Sequence, residues 1–503
     1  MVVPTLTEKG VPAVGPASES GRKSDEASKH ELETPGASTY ATELEWTAAE
    51  ERRVIRKLDA SVTFLLAFGF FCFQLERGNI ANAVSSTLLK DVGINQNQFN
   101  TGQGLLYLGI VLLEVPSQMI LQRVGPQKWI SAQVFMFGLF QLFMHNYSSY
   151  LGTRILLGIT ECGYIPGSLY TISTFYKKTE LASRNACFFV GNILVSGVGG
   201  LMAAGILKLH DRLKPWQHLF LIEGCIALFC GVVFVLFLPD SPHRPHGMLS
   251  RRLTLFTARE QQILLARLGP DAANKEDIHR SLTREEILGT LGNWRNYPHV
   301  LIAISLIATT AALGQYNPTL IKGFGFDTIK ANALTAVGGW ISLVLMVAVG
   351  FFADRLKWKG PAVIVAVSPY FIMWIVFQVK STSKDRWAKF ATIALTTGFS
   401  NWWHPLNATW LSLNQPSPKH RAIAMAMFIM AANCGALVGS QLLRQGDAPT
   451  YPIGFRVCVC LVSFGFGTAI LQHLQYRWSN RRNAELVAEG KTFERHQVVQ
   501  YTP

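Results

Sequence analysis

Twelve apolar stretches, each about long enough to cross a bilayer, run from Asp59 to Trp478. A spanning helix needs about 20 mostly apolar residues, because its amides must bond within the segment where water is absent. Spans are expected near 59–82, 102–122, 128–146, 149–173, 184–207, 216–238, 298–321, 332–354, 361–379, 388–411, 420–442 and 455–475. A polar segment at 239–296 parts them into two sets of six. The expected fold is therefore all-α: a polytopic membrane protein with twelve transmembrane helices in two pseudo-symmetric six-helix halves. The same boundaries give a disordered tail at 1–50, a first half at 51–238, a central loop at 239–296, a second half at 297–478 and a tail at 479–503.

Charge is sparse and unevenly placed. Only 16% of residues are charged against 49% hydrophobic, yet Lys and Arg outnumber Asp and Glu by 46 to 32. A +14 chain could suggest nucleic acid were it soluble. Here basic residues mark the loops that stay cytoplasmic. With the N-terminus inside, 28 Lys and Arg fall on inner segments and about 12 on the opposite loops. Both termini are thus expected to be cytoplasmic, and no nucleic-acid partner is expected. No cleavable signal peptide is visible, so span one is expected to act as the insertion signal. The eight cysteines all fall inside expected spans without metal-ligand spacing, which argues against zinc and a disulfide framework.

The central loop carries two helix-start signals. Thr257–Glu260 and Thr283–Glu286 each match a capping box, and apolar residues follow at helical spacing: Ile263, Leu264 and Leu268, then Ile287, Leu288 and Leu291. Two amphipathic helices along the cytoplasmic face are expected, as a tie between the halves or as a partner site. Glycines at 191, 197, 199, 200 and 205 in span five permit close helix approach.

Several motifs resemble the major facilitator superfamily. Gly350…Ala353-Asp354-Arg355…Lys359 looks like its signature turn, with Lys357 and Trp358 replacing the usual Gly and Arg. Arg154…Gly158…Glu161-Cys162-Gly163…Pro166-Gly167 is more specific. Together with Trp216…Glu223-Gly224 and Leu238-Pro239-Asp240…Pro242, it resembles the fungal anion:cation symporter branch, which includes allantoate, nicotinate, pantothenate and biotin permeases. Glu76-Arg77 stands where that branch usually has Asp-Arg. The resemblance implies alternating access between two halves. Asp354, Arg355, Pro166 and Gly167 are the candidate conformational positions; Asp354 could sit against the positive N-terminal end of a neighbouring helix, or its basic cluster only enforces orientation. The resemblance also implies that Arg154 belongs to a motif associated with proton coupling.

Charges in hydrocarbon are costly, so those inside spans usually face the bundle interior and serve function. Glu76, Arg77, Glu114, Arg154, Glu161 and Glu223 are such residues. Arg154 and Glu161 lie two helical turns apart on one face of span four. Glu76 and Glu161 are candidate proton carriers; the alternative is a fixed internal salt bridge. Arg77 offers a planar fork to a substrate carboxylate, or else locks to Glu76 or Glu161. In span ten, Asn401-Trp402-Trp403-His404-Pro405…Asn407 interrupts an apolar run. Trp403, His404 and Asn407, with Arg77 and Asn79, form the expected substrate-binding set. A packing role for His404, and a lipid-facing one for a tryptophan, stay open.

No P-loop, nucleophile triad or dinucleotide fingerprint is present, and the chain does not read as an enzyme. The expected function is proton-coupled uptake of a small organic anion, of vitamin or nitrogen-source type, by a plasma-membrane monomer. The proton gradient drives it and no cofactor is needed. Efflux of a specialised metabolite by proton exchange, and a transport-inactive nutrient sensor, are the alternatives.

Overall fold

The computed structural model describes residues 45–144, 146–177, 179–209, 212–248, 255–268, 283–353, 359–488 and 501–502. Most of the expected 1–50 tail, the turn residues Asp354 and Arg355, and much of the 479–503 tail lie outside these.

The chain is all-helical, and its helices follow the twelve expected spans. Among the described residues, nine helices are long and apolar enough to cross a membrane. The other three spans are shorter or broken. Span three is the helix Pro126–Phe140 continued by a 3-10 turn, Gln141–Phe143. Span four is split into Tyr147–Glu161 and Tyr164–Phe175. Span ten is split into Arg386–Gly398 and Trp403–Leu413. Spans four and ten hold corresponding places in the two halves.

The break in span four has a local cause. Gly163 adopts φ +80°, a left-handed conformation that L side chains rarely take, and an added Cβ there would lie 2.5 Å from Ser117 Oγ. Carbonyls freed by such a break must find donors inside the protein. Ser117 Oγ on span two (Gln96–Val124) donates to the Cys162 carbonyl at 2.8 Å. Gln133 Nε2 on span three donates to it at 2.6 Å, and Gln118 Nε2 reaches the Gly163 carbonyl at 2.8 Å. In span ten the Ser400 carbonyl receives Trp403 Nε1 at 2.7 Å and Thr310 Oγ1 at 3.3 Å.

The halves meet along spans five (Leu181–Ile206) and eight (Thr328–Ala353), and through spans one, two, seven and eleven. At Gly339 a Cβ would sit 1.7 Å from the Ser196 carbonyl oxygen, so only glycine lets spans five and eight approach this closely. At the face away from the central loop, Asn100 is the hub. Its Nδ2 donates to the Leu443 carbonyl at 2.7 Å, and its Oδ1 accepts from Gln315 Nε2 at 2.9 Å and from the Tyr316 hydroxyl. Its own carbonyl accepts from Gln441 Nε2 at 2.8 Å. Nearby, Lys322 Nζ reaches the Ser85 carbonyl and Asn332 Nδ2 the Ser85 hydroxyl, each at 2.8 Å.

Both loop helices form, at Ala258–Leu268 and Arg284–Gly292, and both capping pairs are made. They bind different halves. The first buries Ile263, Leu264 and Leu268 in the core of the first half. Lys57 Nζ meets Glu260 at 2.7 Å, Arg259 Nε meets Glu50 at 2.8 Å, and the buried Arg267 bridges Glu51 and Glu180. The second helix pairs Glu286 with Lys419 of span eleven (Pro418–Gly439) at 3.0 Å. Unlike the first, it leaves Ile287, Leu288 and Leu291 exposed, so its apolar spacing does not mark a core face.

Candidate functional site

The break in span four sets out the site. Glu161 is the last residue of the first segment, and its side chain is fully buried. Its Oε2 accepts from Arg77 Nε of span one at 2.7 Å. Its Oε1 has no hydrogen-bond partner. Span one reaches this point as one continuous helical run, Ala48–Ser85, with a π-helical turn at Asp59–Phe64.

Arg77 is held by rings as well as by charge. Its guanidinium carbon lies 4.3 Å from the centre of Phe73 and 5.8 Å from that of Tyr107. About 20% of its side chain stays accessible, against none for Glu161. The guanidinium therefore has donors to spare for a ligand.

Glu76 precedes it, turned about 100° round the helix, and is buried. No donor group reaches either of its carboxyl oxygens, and it lies against the carboxyl of Glu161. Its electrostatic neighbours are Glu161, Arg154 and Arg77. Arg154 is buried two turns before Glu161, its guanidinium carbon 5.5 Å from the Tyr150 ring centre, and its Nε is unpartnered. Two carboxyls and two guanidiniums thus share one buried region with fewer hydrogen bonds than they can make. Glu114 on span two lies close enough to feel Arg77 and accepts from Asn433 of span eleven at 3.2 Å, which links the region to the second half.

The other expected ligand residues make contacts of their own. Asn79 is buried, accepts from Asn82, and leaves its Nδ2 unpartnered. Trp403 is fully buried and spends its indole N–H on the break in its own span. Asn407 is buried as well: its Oδ1 lies 2.7 Å from His299 Nδ1, and its Nδ2 donates to the His299 carbonyl at 3.2 Å. His404 is half-buried, with its ring 4.8 Å from that of Phe428. Pro166 and Gly167 lie in the second segment of span four, where Gly167 packs against Leu121. Asp354 and Arg355 fall outside the described residues. Glu223 sits apart, with Gln141 Nε2 at 3.4 Å.

Two features escaped sequence reasoning. His299 at the start of span seven (Tyr297–Gly323) ties spans ten and twelve through Asn407 and the Tyr476 hydroxyl, the latter at 3.1 Å. An intramembrane histidine was the available signal. The break at Gly163 was the second, and matched interruptions in the two halves mark such sites. A separate groove of about 390 Å³, lined by Val365, Ser368, Pro369, Ile372, Met373 and Phe399, is almost wholly apolar and has no charged member. It suits a lipid chain better than a polar solute.

The sequence profile of the Major Facilitator Superfamily matches residues 66–440. An uncharacterized transporter of Saccharomyces cerevisiae is 28% identical over 92% of this chain and 85% of its own length. A candidate tartrate transporter of Agrobacterium vitis is 29% identical over 61% of this chain and 66% of its own length. Among solved structures, a D-xylose–proton symporter superposes with a TM-score of 0.61 at 14% identity, covering 83% of this chain and 97% of that one. That likeness bears on the fold.

Proposed function

This chain belongs to the Major Facilitator Superfamily and is a secondary transporter of small molecules; from that premise we propose that its cargo is a small organic anion taken up with protons. The observation that carries the reading is the Arg77–Glu161 pair beside Glu76, which no donor group reaches. Arg77 has one partly accessible guanidinium and two potential carboxylate partners, its own Glu161 and that of a substrate. Protonating Glu161 neutralises it, ends its claim on Arg77 and frees the guanidinium for the substrate. Proton and anion then favour each other's binding, and by reciprocity of linkage each raises the affinity for the other by the same factor. This is the thermodynamic signature of symport. Arg154 balances the second carboxyl, and Glu76 supplies the neighbouring station to which the proton passes.

The matched breaks in spans four and ten support a site between the halves at that depth. The bonds around Asn100 support a state closed on the face away from the loop; on the proposed reading the loop face is cytoplasmic, in keeping with the basic residues on that side, and the protein is a plasma-membrane monomer. Asp354 and Arg355 in the second half, and Pro166 and Gly167 in the first, are the proposed gating positions. Tartrate in the name of one relative is a dicarboxylate, which supports a carboxylate cargo. We place the chain in the anion:cation symporter branch on the motifs around Arg154 and Glu161.

The test is uptake of radiolabelled nicotinate, pantothenate, biotin, allantoate and small dicarboxylates into cells expressing wild type or Arg77→Ala. External pH is set at about 5 and about 7.5, either side of the histidine range. Acid-stimulated accumulation of one carboxylate, lost in Arg77→Ala, supports the reading. No uptake of any anion by surface-expressed wild type overturns it in favour of efflux.

A further inference from the structure

Residues Tyr501 and Thr502 lie against the loop-face end of the second half, and their backbones are bonded there residue by residue. Asn480, near the end of span twelve (Pro452–Ala488), donates its Nδ2 to the Tyr501 carbonyl at 2.7 Å and accepts the Tyr501 N–H on Oδ1 at 2.9 Å. Asn414, which caps span ten, treats Thr502 the same way. Its Nδ2 donates to the Thr502 carbonyl at 3.2 Å, and its Oδ1 accepts the Thr502 N–H at 2.7 Å. Trp410 Nε1 adds a second bond to the Thr502 carbonyl at 2.8 Å.

A side-chain amide carries one acceptor oxygen and a donor nitrogen, so it can satisfy a peptide's N–H and C=O together, as a neighbouring strand would. Two such amides in succession read backbone rather than side chains. Selectivity comes from the Tyr501 ring. It stacks on Tyr476 at 5.0 Å with planes 10° apart, and the Arg295 guanidinium carbon lies 5.3 Å from its centre.

We propose that Asn414, Asn480, Tyr476, Trp410 and Arg295 form a peptide-binding site for an extended aromatic-led dipeptide, which this chain fills with its own Tyr501–Thr502. The docked segment is a staple. It joins the end of span ten to span twelve just where the lower piece of span ten, Trp403–Leu413, is cut from the upper by the break at 399–402. Movement of that lower piece requires its end to leave span twelve, and the staple resists this. Tyr476 carries the contact further inward through its hydroxyl on His299, which holds Asn407. None of this rests on the anion or proton reading.

Backbone hydrogen exchange on the full chain in detergent tests it, because bonded amides exchange slowly. Exchange at Tyr501 and Thr502 is expected to be at least tenfold slower in wild type than in the Asn414→Ala/Asn480→Ala double variant. Tyr501→Ala, which leaves every transmembrane residue intact, is expected to lose the same protection. In both variants, exchange across 403–413 should rise at least threefold, while the first half is unchanged. Less than tenfold protection of the two amides in wild type overturns the site. Protection that is lost without any rise across 403–413 overturns the staple.

Discussion

Arg77 of span one donates to Glu161 at 2.7 Å, at the residue where span four breaks. The pair joins two helices of the first half through a carboxylate with no accessible surface and a guanidinium that keeps some. Removing one member of a buried pair costs more than the pair contributes, because the survivor stays charged and unsolvated. Arg77→Ala is therefore expected to lower stability by about 3–5 kcal/mol and abolish transport. Arg77→Ala/Glu161→Gln removes the stranded charge and should recover most of the stability without transport. Thermal unfolding in detergent, read beside uptake, separates the two; equal instability of the single and double variants would sink the argument.

Glu76→Gln keeps the shape of the side chain and removes its proton. The variant is expected to fold and to bind substrate, with uptake no longer changed between external pH of about 5 and about 7.5. Exchange of labelled for unlabelled substrate, which needs no net proton movement, should persist. A wild-type pH response in Glu76→Gln would remove Glu76 from the proton path.

Gly163 carries φ +80° with Ser117 Oγ 2.5 Å from where a Cβ would lie. Gly163→Ala adds both a strained backbone and a clash, and it disturbs the donors around the Cys162 carbonyl. A loss of about 1–3 kcal/mol is expected. A Cβ added at Gly152 would meet nothing within 4 Å, so Gly152→Ala is the control and should leave the unfolding midpoint nearly unchanged.

The first loop helix is held by a titratable clamp. Burial raises the Glu260 carboxyl, but Lys57 and the Thr257 amide outweigh it and hold the group below its usual 4.5. A folded-state value below the unfolded one adds stability that is complete above about 4.5 and fades as pH falls through the folded value. The gap in unfolding temperature between wild type and Glu260→Gln should therefore be full at pH of about 7 and shrink below about 4.5. A gap that grows on acidification would contradict the clamp.

Asn100 joins spans two, seven and eleven at the face away from the loop. Asn100→Ala deletes the side-chain bonds, each worth about 1 kcal/mol net. The expected result is a population shift toward opening on that face, read as faster labelling there of a single introduced cysteine, Gln96→Cys. Unchanged labelling would show that the contact is incidental to closure.

The loop helices show how far local pattern reaches. Thr257–Glu260 and Thr283–Glu286 announced two helix starts, because a capping box is closed within four residues and needs nothing distant. The same reading placed Ile287, Leu288 and Leu291 on an apolar face, yet that helix leaves them exposed. Whether such a face is covered depends on what packs over it, which local spacing does not contain. Trp403 and Asn407 make the same point in span ten. Their residue types suggested ligands; that Trp403 also donates to the Ser400 carbonyl and Asn407 to the His299 carbonyl is a tertiary fact that residue type does not contain.

By itself the sequence determined the membrane class, the six-and-six layout and the charged residues that had to lie inside. Each follows from the cost of bare amides and charges in hydrocarbon, a penalty that can be counted along a chain. Tertiary structure alone decided that Arg77 meets Glu161 while no donor group reaches Glu76, that Gly339 brings span eight onto span five, and that Tyr501 folds back onto Tyr476. These pairings join residues tens to hundreds of positions apart. They depend on the rotation of each helix about its axis, which a nearly uniform apolar surface leaves undetermined until neighbouring helices pack against it.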